Sequence, residues 1–369
     1  MTKPAAALTL TEAVKDLFRV VYQQQQKNRG AGEGAAAKIK VNEIISKMSF
    51  FYEKIRNSVD YKDDNLLLKN AIERILKRLV MMGHTEAQEI AQTLLVELIR
   101  AGYLGNNTVP ETTINEVAVI IERFDKLRKL ILAAGKKEHQ EIDAVKKWIT
   151  NLAATNLEEL LGDHRVDQVM GRHMFDIING SIVDNGSSKE FSRDKKIQIY
   201  VGIYSKLFKY DDAMLEYMLF HYFNPKWNEA ADEDIALVAQ HYWELRDVIY
   251  QQLRHYFRKQ VGKIVQRYTI YFSILQDAIA EDPPATYDKL KEHPDQFKKL
   301  IAKVCERRYK ESRARLRRGA IRSIIYIFLT KAILVFILEI PATMFLGEEV
   351  KYYSLVINVL FPPALLFLI

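Results

Sequence analysis

Histidines and carboxylates at helical spacing are where chemistry would first be sought in this chain. Two pairs repeat one local pattern nine residues apart, His164-x-x-Asp167 and His173-x-x-Asp176. A histidine with a carboxylate three positions on can share a helix face, where the pair could hold a metal ion or move a proton. On one continuous helix an offset of nine residues is about 180°. The two pairs then face opposite sides, and one metal could not use both without a break near Gly171. A second recurrence is the His-Tyr-aromatic triplet, at His221-Tyr222-Phe223, His241-Tyr242-Trp243 and His255-Tyr256-Phe257. His241 and His255 would lie within about 40° of one helix face, an arrangement open to a haem or quinone. Aromatic stripes at this spacing more often build a core with the histidine at its polar edge.

The remaining signatures of catalysis are missing. The chain has no His-Glu-x-x-His, Cys-x-x-Cys, Gly-x-Ser-x-Gly or Walker-type run. Its single cysteine, Cys305, excludes an intrachain disulfide framework and a zinc site built on several cysteines. Cys305 stands among basic residues that could lower its pKa, and it reads as structural or incidental. The Gly30-Ala-Gly-Glu-Gly34 run follows a helical pattern instead of a strand and lacks the Gly-Lys-Ser/Thr ending, so it reads as a linker. No catalytic, cofactor-binding or metal-ligating residue is assigned on these grounds.

Charge carries the clearer signal. The chain is +7 overall. Between Ala302 and Arg322 stand Lys303, Arg307, Arg308, Lys310, Arg313, Arg315, Arg317, Arg318 and Arg322, against only Glu306 and Glu311. That window is itself +7, so the other residues sum to about zero and the chain reads as having one basic segment. Anionic lipid headgroups attract such a segment by about 1 kcal/mol per cation near the surface. Nucleic acid is disfavoured as a partner, because the cations abut an apolar run and only Tyr309 interleaves them.

That apolar run spans Ser323 to Leu346, with Lys331 and Glu339 as its only charges. As a helix its length would be about 36 Å, against a hydrocarbon core of about 30 Å. A polar loop at 347–353 leads to an uncharged run from Ser354 to Ile369, interrupted by Pro362-Pro363. The cations precede the first span, so the positive-inside rule puts residues 1–322 in the cytoplasm, at the inner (plasma) membrane of a cell. Lys331 and Glu339 are the intramembrane charges. Lys331 is expected to snorkel inward and Glu339 to sit near the outer headgroups, or else both pack against further helices. The second apolar run stops at Ile369 only 16 residues in, so the natural protein is expected to continue past it. The Lys-x-Ile-Leu, Glu-Ile-Pro and Phe-Pro-Pro runs between Thr330 and Ile369 resemble the tails of bacterial membrane proteins of unknown function. The resemblance brings no activity with it.

The elements ahead of the span read as helices. Leu10, Val14, Leu17, Phe18 and Val21 recur at helical spacing, and further helical patterns cover about 40–59, 64–82, 84–101, 110–134, 137–151 and 156–178. The turn-rich stretch 179–194, with Asn-Gly twice, marks an internal boundary. An aromatic-rich pattern then runs as one long helix over about 232–280, with a bend at Gly262. A last helix begins near Asp295 and passes through the basic segment.

The expectation is an all-α fold, a multi-helix cytosolic bundle followed by a C-terminal transmembrane helical hairpin. It divides into an N-terminal helix and linker (1–37), a helical bundle (38–178), a linker (179–194), an aromatic-rich helical region (195–301), a basic juxtamembrane helix (302–322), a first span (323–346), an outer loop (347–353) and an incomplete second span (354–369). Its expected partners are the bilayer, through the basic segment, and proteins, through the bundle. The implied role is partner binding or scaffolding at a membrane. A transporter or channel subunit with spans beyond residue 369, or a cofactor-binding membrane enzyme using the aromatic-rich half, are the alternatives.

Overall fold

The computed structural model describes residues 11–30, 37–42, 64–81, 86–134, 139–162, 164–182, 189–346 and 352–368. It is about 86% helical, with no strand among the described residues. Two compact units divide the chain, Met1–Glu292 and His293–Ile369.

In the first unit, α1 (Glu12–Gly30), α2 (Asp64–Met81), α3 (Ala87–Arg100), α4 (Thr112–Ala133), α5 (His139–Leu161) and α6 (Arg165–Ser181) come first. Then follow α7 (Lys189–Lys206), α8 (Asp212–Phe223), α9 (Asp232–Gln240), α10 (Tyr242–Leu253), α11 (Arg258–Glu281) and α12 (Pro283–Glu292). Helix α3 shows why the sequence folds as it does. Ile90, Leu94, Leu95 and Leu98 form one buried face. Gly102, at φ 79°, then lets the Tyr103 and Gly102 amides donate back to Leu98 and Ile99, closing the helix.

Two apolar clusters fill this unit. The larger joins α2 to α5 with α8, α9 and α10, and is centred on Trp227, whose ring stands 4.8 Å from Phe220 and 5.2 Å from Phe124. Trp148 extends it to Tyr242 at 5.3 Å. The smaller joins α1, α6, α11 and Phe208. Helix α7 belongs to both, giving Ile197 and Val201 to the first and Ile199 and Ile203 to the second. Each cluster therefore draws on residues from both sides of the turn-rich stretch 179–194.

Four expectations about elements are corrected. Residues 37–42 are extended, not the start of a helix: Ile39 exchanges backbone hydrogen bonds with Val109 and Asn107 at 3.0 and 3.1 Å. Most of the expected helix 40–59 lies outside the described residues. The break expected near 151–156 is absent, because Leu152, Ala153, Ala154 and Leu157 are buried in a continuous α5, which ends at Gly162 instead. The long helix over 232–280 is three helices, interrupted at His241 and at 254–257, while Gly262 sits buried inside α11 without a break.

In the second unit, α13 (Pro294–Leu334) runs through the basic segment and on into the apolar one. It continues through a single π-helical turn, Val335–Glu339, into α14 (Ile340–Phe345). Pro341 accounts for the turn, since it has no N–H to give the Ile337 carbonyl and its ring crowds that position. The final helix, α15 (Tyr352–Leu368), packs along α13.

Helices α7 and α11 meet at a glycine. A Cβ built on Gly202 of α7 would stand 2.9 Å from Val265 Cγ2 of α11. Gly202→Ala is expected to cost about 1–3 kcal/mol by overpacking. Gly180→Ala in α6, where an added Cβ meets nothing within 4 Å, should be neutral or stabilising by up to about 1 kcal/mol. Urea unfolding followed by far-UV circular dichroism would check both.

Candidate membrane interface and a buried charge cluster

The basic segment occupies α13 without interruption. Lys303, Arg307, Lys310, Arg313, Arg315, Arg317, Arg318 and Arg322 are exposed and Arg308 is half-buried. Lys310 reaches Glu306 at 2.9 Å, and that hydrogen bond holds the Glu306 carboxyl below its ordinary pKa. At about 100° per residue the nine cations spread around most of the helix, forming a collar, with the last five within about 15 Å of the apolar run.

Beyond the collar, large apolar side chains face outward. Phe336 is 70% exposed and Phe345 93%, with Ile325, Leu329, Ile333, Ile337 and Leu338 also exposed. In α15 Val356, Ile357, Leu360 and Phe361 do the same. Helix Pro294–Thr343 is long and apolar enough to cross a membrane, and only 6% of its most apolar window is buried. Hydroxyls in this stretch bond to the helix itself: Thr330 Oγ1 donates to the Tyr326 carbonyl at 2.7 Å, and Thr343 Oγ1 to that of Glu339 at 2.8 Å. Such internal pairing is what hydrocarbon demands of a polar group. Lys331 is exposed and Glu339, closing the π-helical turn, is half-buried. Tyr326 and Tyr353 are exposed near the ends of the apolar stretches.

The histidine patterns resolve differently. His164 does meet Asp167, with Nδ1 3.5 Å from Oδ2, and its Nε2 meets Glu158 Oε1 at 2.9 Å. Glu158 comes from the last turn of α5, across the break at Gly162, and the i+3 pattern alone gives no sign of it. Burial works against the imidazolium here, but Asp167 and Glu158 outweigh it and push His164 up to about 10. Asp167 Oδ1 also accepts from Gln276 Nε2 at 3.1 Å. Next to this cluster Tyr217 donates its hydroxyl to Glu159 at 3.1 Å, with burial and Glu159 both raising the phenol's pKa.

His173 stays apart from this group. It packs edge-on against Phe272 at 5.6 Å, and burial lowers its pKa. The three triplets do not converge on one pocket. His241 and His255 terminate α9 and follow α10, where His241 Nδ1 lies 3.0 Å from Glu244 and His255 Nε2 3.7 Å from Asp194. Among the described residues no group of His, Cys, Asp and Glu could hold a metal ion.

Sequence reasoning also missed a cleft of about 580 Å3 beside the cluster. Asn115, Glu116, Arg123, Asn156, Glu159, Gln168 and Asn228 supply its polar lining, between the exposed apolar side chains of Val119 and Leu160. Arg123 donates to the Asn228 carbonyl at 2.8 Å. No short motif marks the cleft, because its lining comes from four separated segments.

Comparison with protein-family models, with curated proteins and with solved structures found no match to this chain.

Removing His164 would leave Glu158 buried without its cation. His164→Gln is expected to cost about 3–5 kcal/mol in urea unfolding at pH 7. Because the folded pKa is raised above 6.5, this stabilisation is complete below that pH and fades as pH rises towards about 10. Glu216 on α8 behaves oppositely. Burial, opposed by Arg246, pushes its carboxyl up to about 7, so ionisation destabilises the fold as pH rises from 4.5 through 7. Glu216→Gln should therefore stabilise by about 1–3 kcal/mol at pH 8 and by little at pH 4.5, as read from paired unfolding curves.

Proposed function

We propose that this chain is a membrane-anchored helical protein, whose first unit lies in the cytoplasm and binds partners at the inner membrane surface. The observation that carries the reading is the outward-facing apolar stretch that continues directly from the basic collar. A core helix of a soluble protein would hide those side chains, whereas lipid accommodates them. The collar supports the orientation: cations spread over about 220° of a helix suit one that leaves the bilayer through the headgroups, and their position before the span keeps residues 1–322 inside. The contact between α13 and α15 supports a hairpin that returns towards the inner side. Lys331, on this reading, extends its ammonium towards the inner headgroups, and Glu339 lies near the outer ones.

A partner-binding role for the first unit rests on its polar cleft. Asn156 Oδ1, on a residue that lines the cleft, is buried with no hydrogen-bond partner among the described residues. Amide, guanidinium and carboxylate groups flanked by Val119 and Leu160 suit a partner offering both backbone-like polar groups and an apolar side chain.

The chain should pellet with membranes after alkaline carbonate extraction and be released by detergent alone. Recovery of the chain in the carbonate supernatant would overturn the anchor. In insertion assays, replacing Arg313, Arg315, Arg317, Arg318 and Arg322 together by Glu should lower the fraction with its N-terminus on the inner side, scored by protease protection. An unchanged fraction would show that the collar does not set orientation.

A further inference from the structure

From Arg254 to Gln276 the chain has no Asp or Glu but carries Arg254, Arg258, Lys259, Lys263 and Arg267. A count over the whole chain hides this second basic segment, because acids elsewhere cancel it. The fold then sorts the segment onto two sides of α11. Val261, Val265, Phe272 and Ile279 are buried in the smaller apolar cluster. Arg258 is engaged by Asp212 at 2.7 Å and by the Leu253 carbonyl. Lys259, Lys263 and Arg267 are exposed, and at about 100° per residue they fall within about 80° of one another. Ile270 is 57% exposed and Tyr271 69% at one end of this stripe, with Tyr256 79% exposed just before the helix.

We infer that this face of α11 docks on an anionic bilayer surface. Three cations without an intervening acid complement lipid phosphates. Tyrosine rings favour headgroup depth, and an isoleucine gains by leaving water there. Nucleic acid fits less well: it would want rings set between the cations for bases to stack on, but the apolar groups stand at the ends and Ile270 has no stacking face. The inference rests on the membrane reading only in requiring that a bilayer be at hand.

The test uses the full chain with Cys305→Ser and a spin label at Gln266→Cys, on the same exposed stripe. It is reconstituted into nanodiscs of phosphatidylcholine alone or mixed with phosphatidylglycerol. Three cations multiply the docked population by on the order of a hundredfold on anionic lipid. The label's accessibility to a water-soluble nickel relaxant should therefore fall several-fold in the mixed discs. It should recover when Lys259, Lys263 and Arg267 are all replaced by Ala. A label at the exposed position Glu122→Cys on α4 should stay accessible throughout. Equal accessibility of the Gln266 label in both discs would overturn the inference, as would protection that survives loss of the three cations. Protection by an added RNA oligonucleotide in phosphatidylcholine discs would overturn it in favour of nucleic acid. Should the chain fail to enter discs, the anchor reading fails. The same label with preformed phosphatidylglycerol vesicles then decides this face separately, protection sustaining it and full exposure ending it.

Discussion

The first unit depends on one helix being apolar on two sides. Ile197 and Val201 of α7 enter the larger cluster, while Ile199 and Ile203, about 200° round the helix, enter the smaller. A helix apolar all round is stable only when covered all round. Helix α7 is covered by α8 and α10 on one side and by α6 and α11 on the other. Gly202 brings α11 close enough for Val265 to fill the space a side chain would take. The same packing fixes α11's opposite side outward, which is why its cations share one exposed stripe.

Local signals recovered much of the helix pattern and almost none of the long-range pairing. Helices α2, α3 and α4 fall within a few residues of their expected limits, because apolar spacing and the glycine at 102 act over one or two turns. The interruptions at His241 and 254–257 carry no proline or glycine, so nothing local announced them. Tertiary partners stand at both, Tyr242 against Trp148 across the core and the His255 ring near Asp194, and at the second the His255 ring also accepts locally from the Phe257 amide at 3.2 Å. The cluster at His164 was half legible. Asp167 stands three residues on and was in view, whereas Glu158 arrives only because α5 ends at Gly162 and the chain turns back. The polar cleft, assembled from four segments, had no sequence signature at all.

Charge shows the same difference between sum and arrangement. The collar on α13 packs nine cations into residues 302–322 and the segment feeding the α11 stripe has five in 254–276, yet one dominates the chain's net charge and the other vanishes in it. The stripe emerges only when folding separates its cations from Arg258, which Asp212 holds, and turns its apolar residues inward. Inside the first unit the logic reverses. The cation at His164 is surrounded by carboxylates, and burial raises the cost of leaving any of them unpaired.

Tethering determines what a stripe of three cations can accomplish. Free in solution, a protein with so small a basic face would hold a membrane only weakly and lose it in salt. A chain anchored in the bilayer as proposed would meet that surface at an effective concentration set by its own length, in the millimolar range for short flexible connections. Weak docking is then enough to populate the surface-bound state and weak enough to be reversed. Ionic strength, or the anionic lipid content of the leaflet, would shift the balance without disturbing the anchor. Two basic elements on one chain thus differ in kind. On the proposed reading the collar would act once, when the span inserts, and the α11 face would act repeatedly, as the local headgroup charge rises and falls.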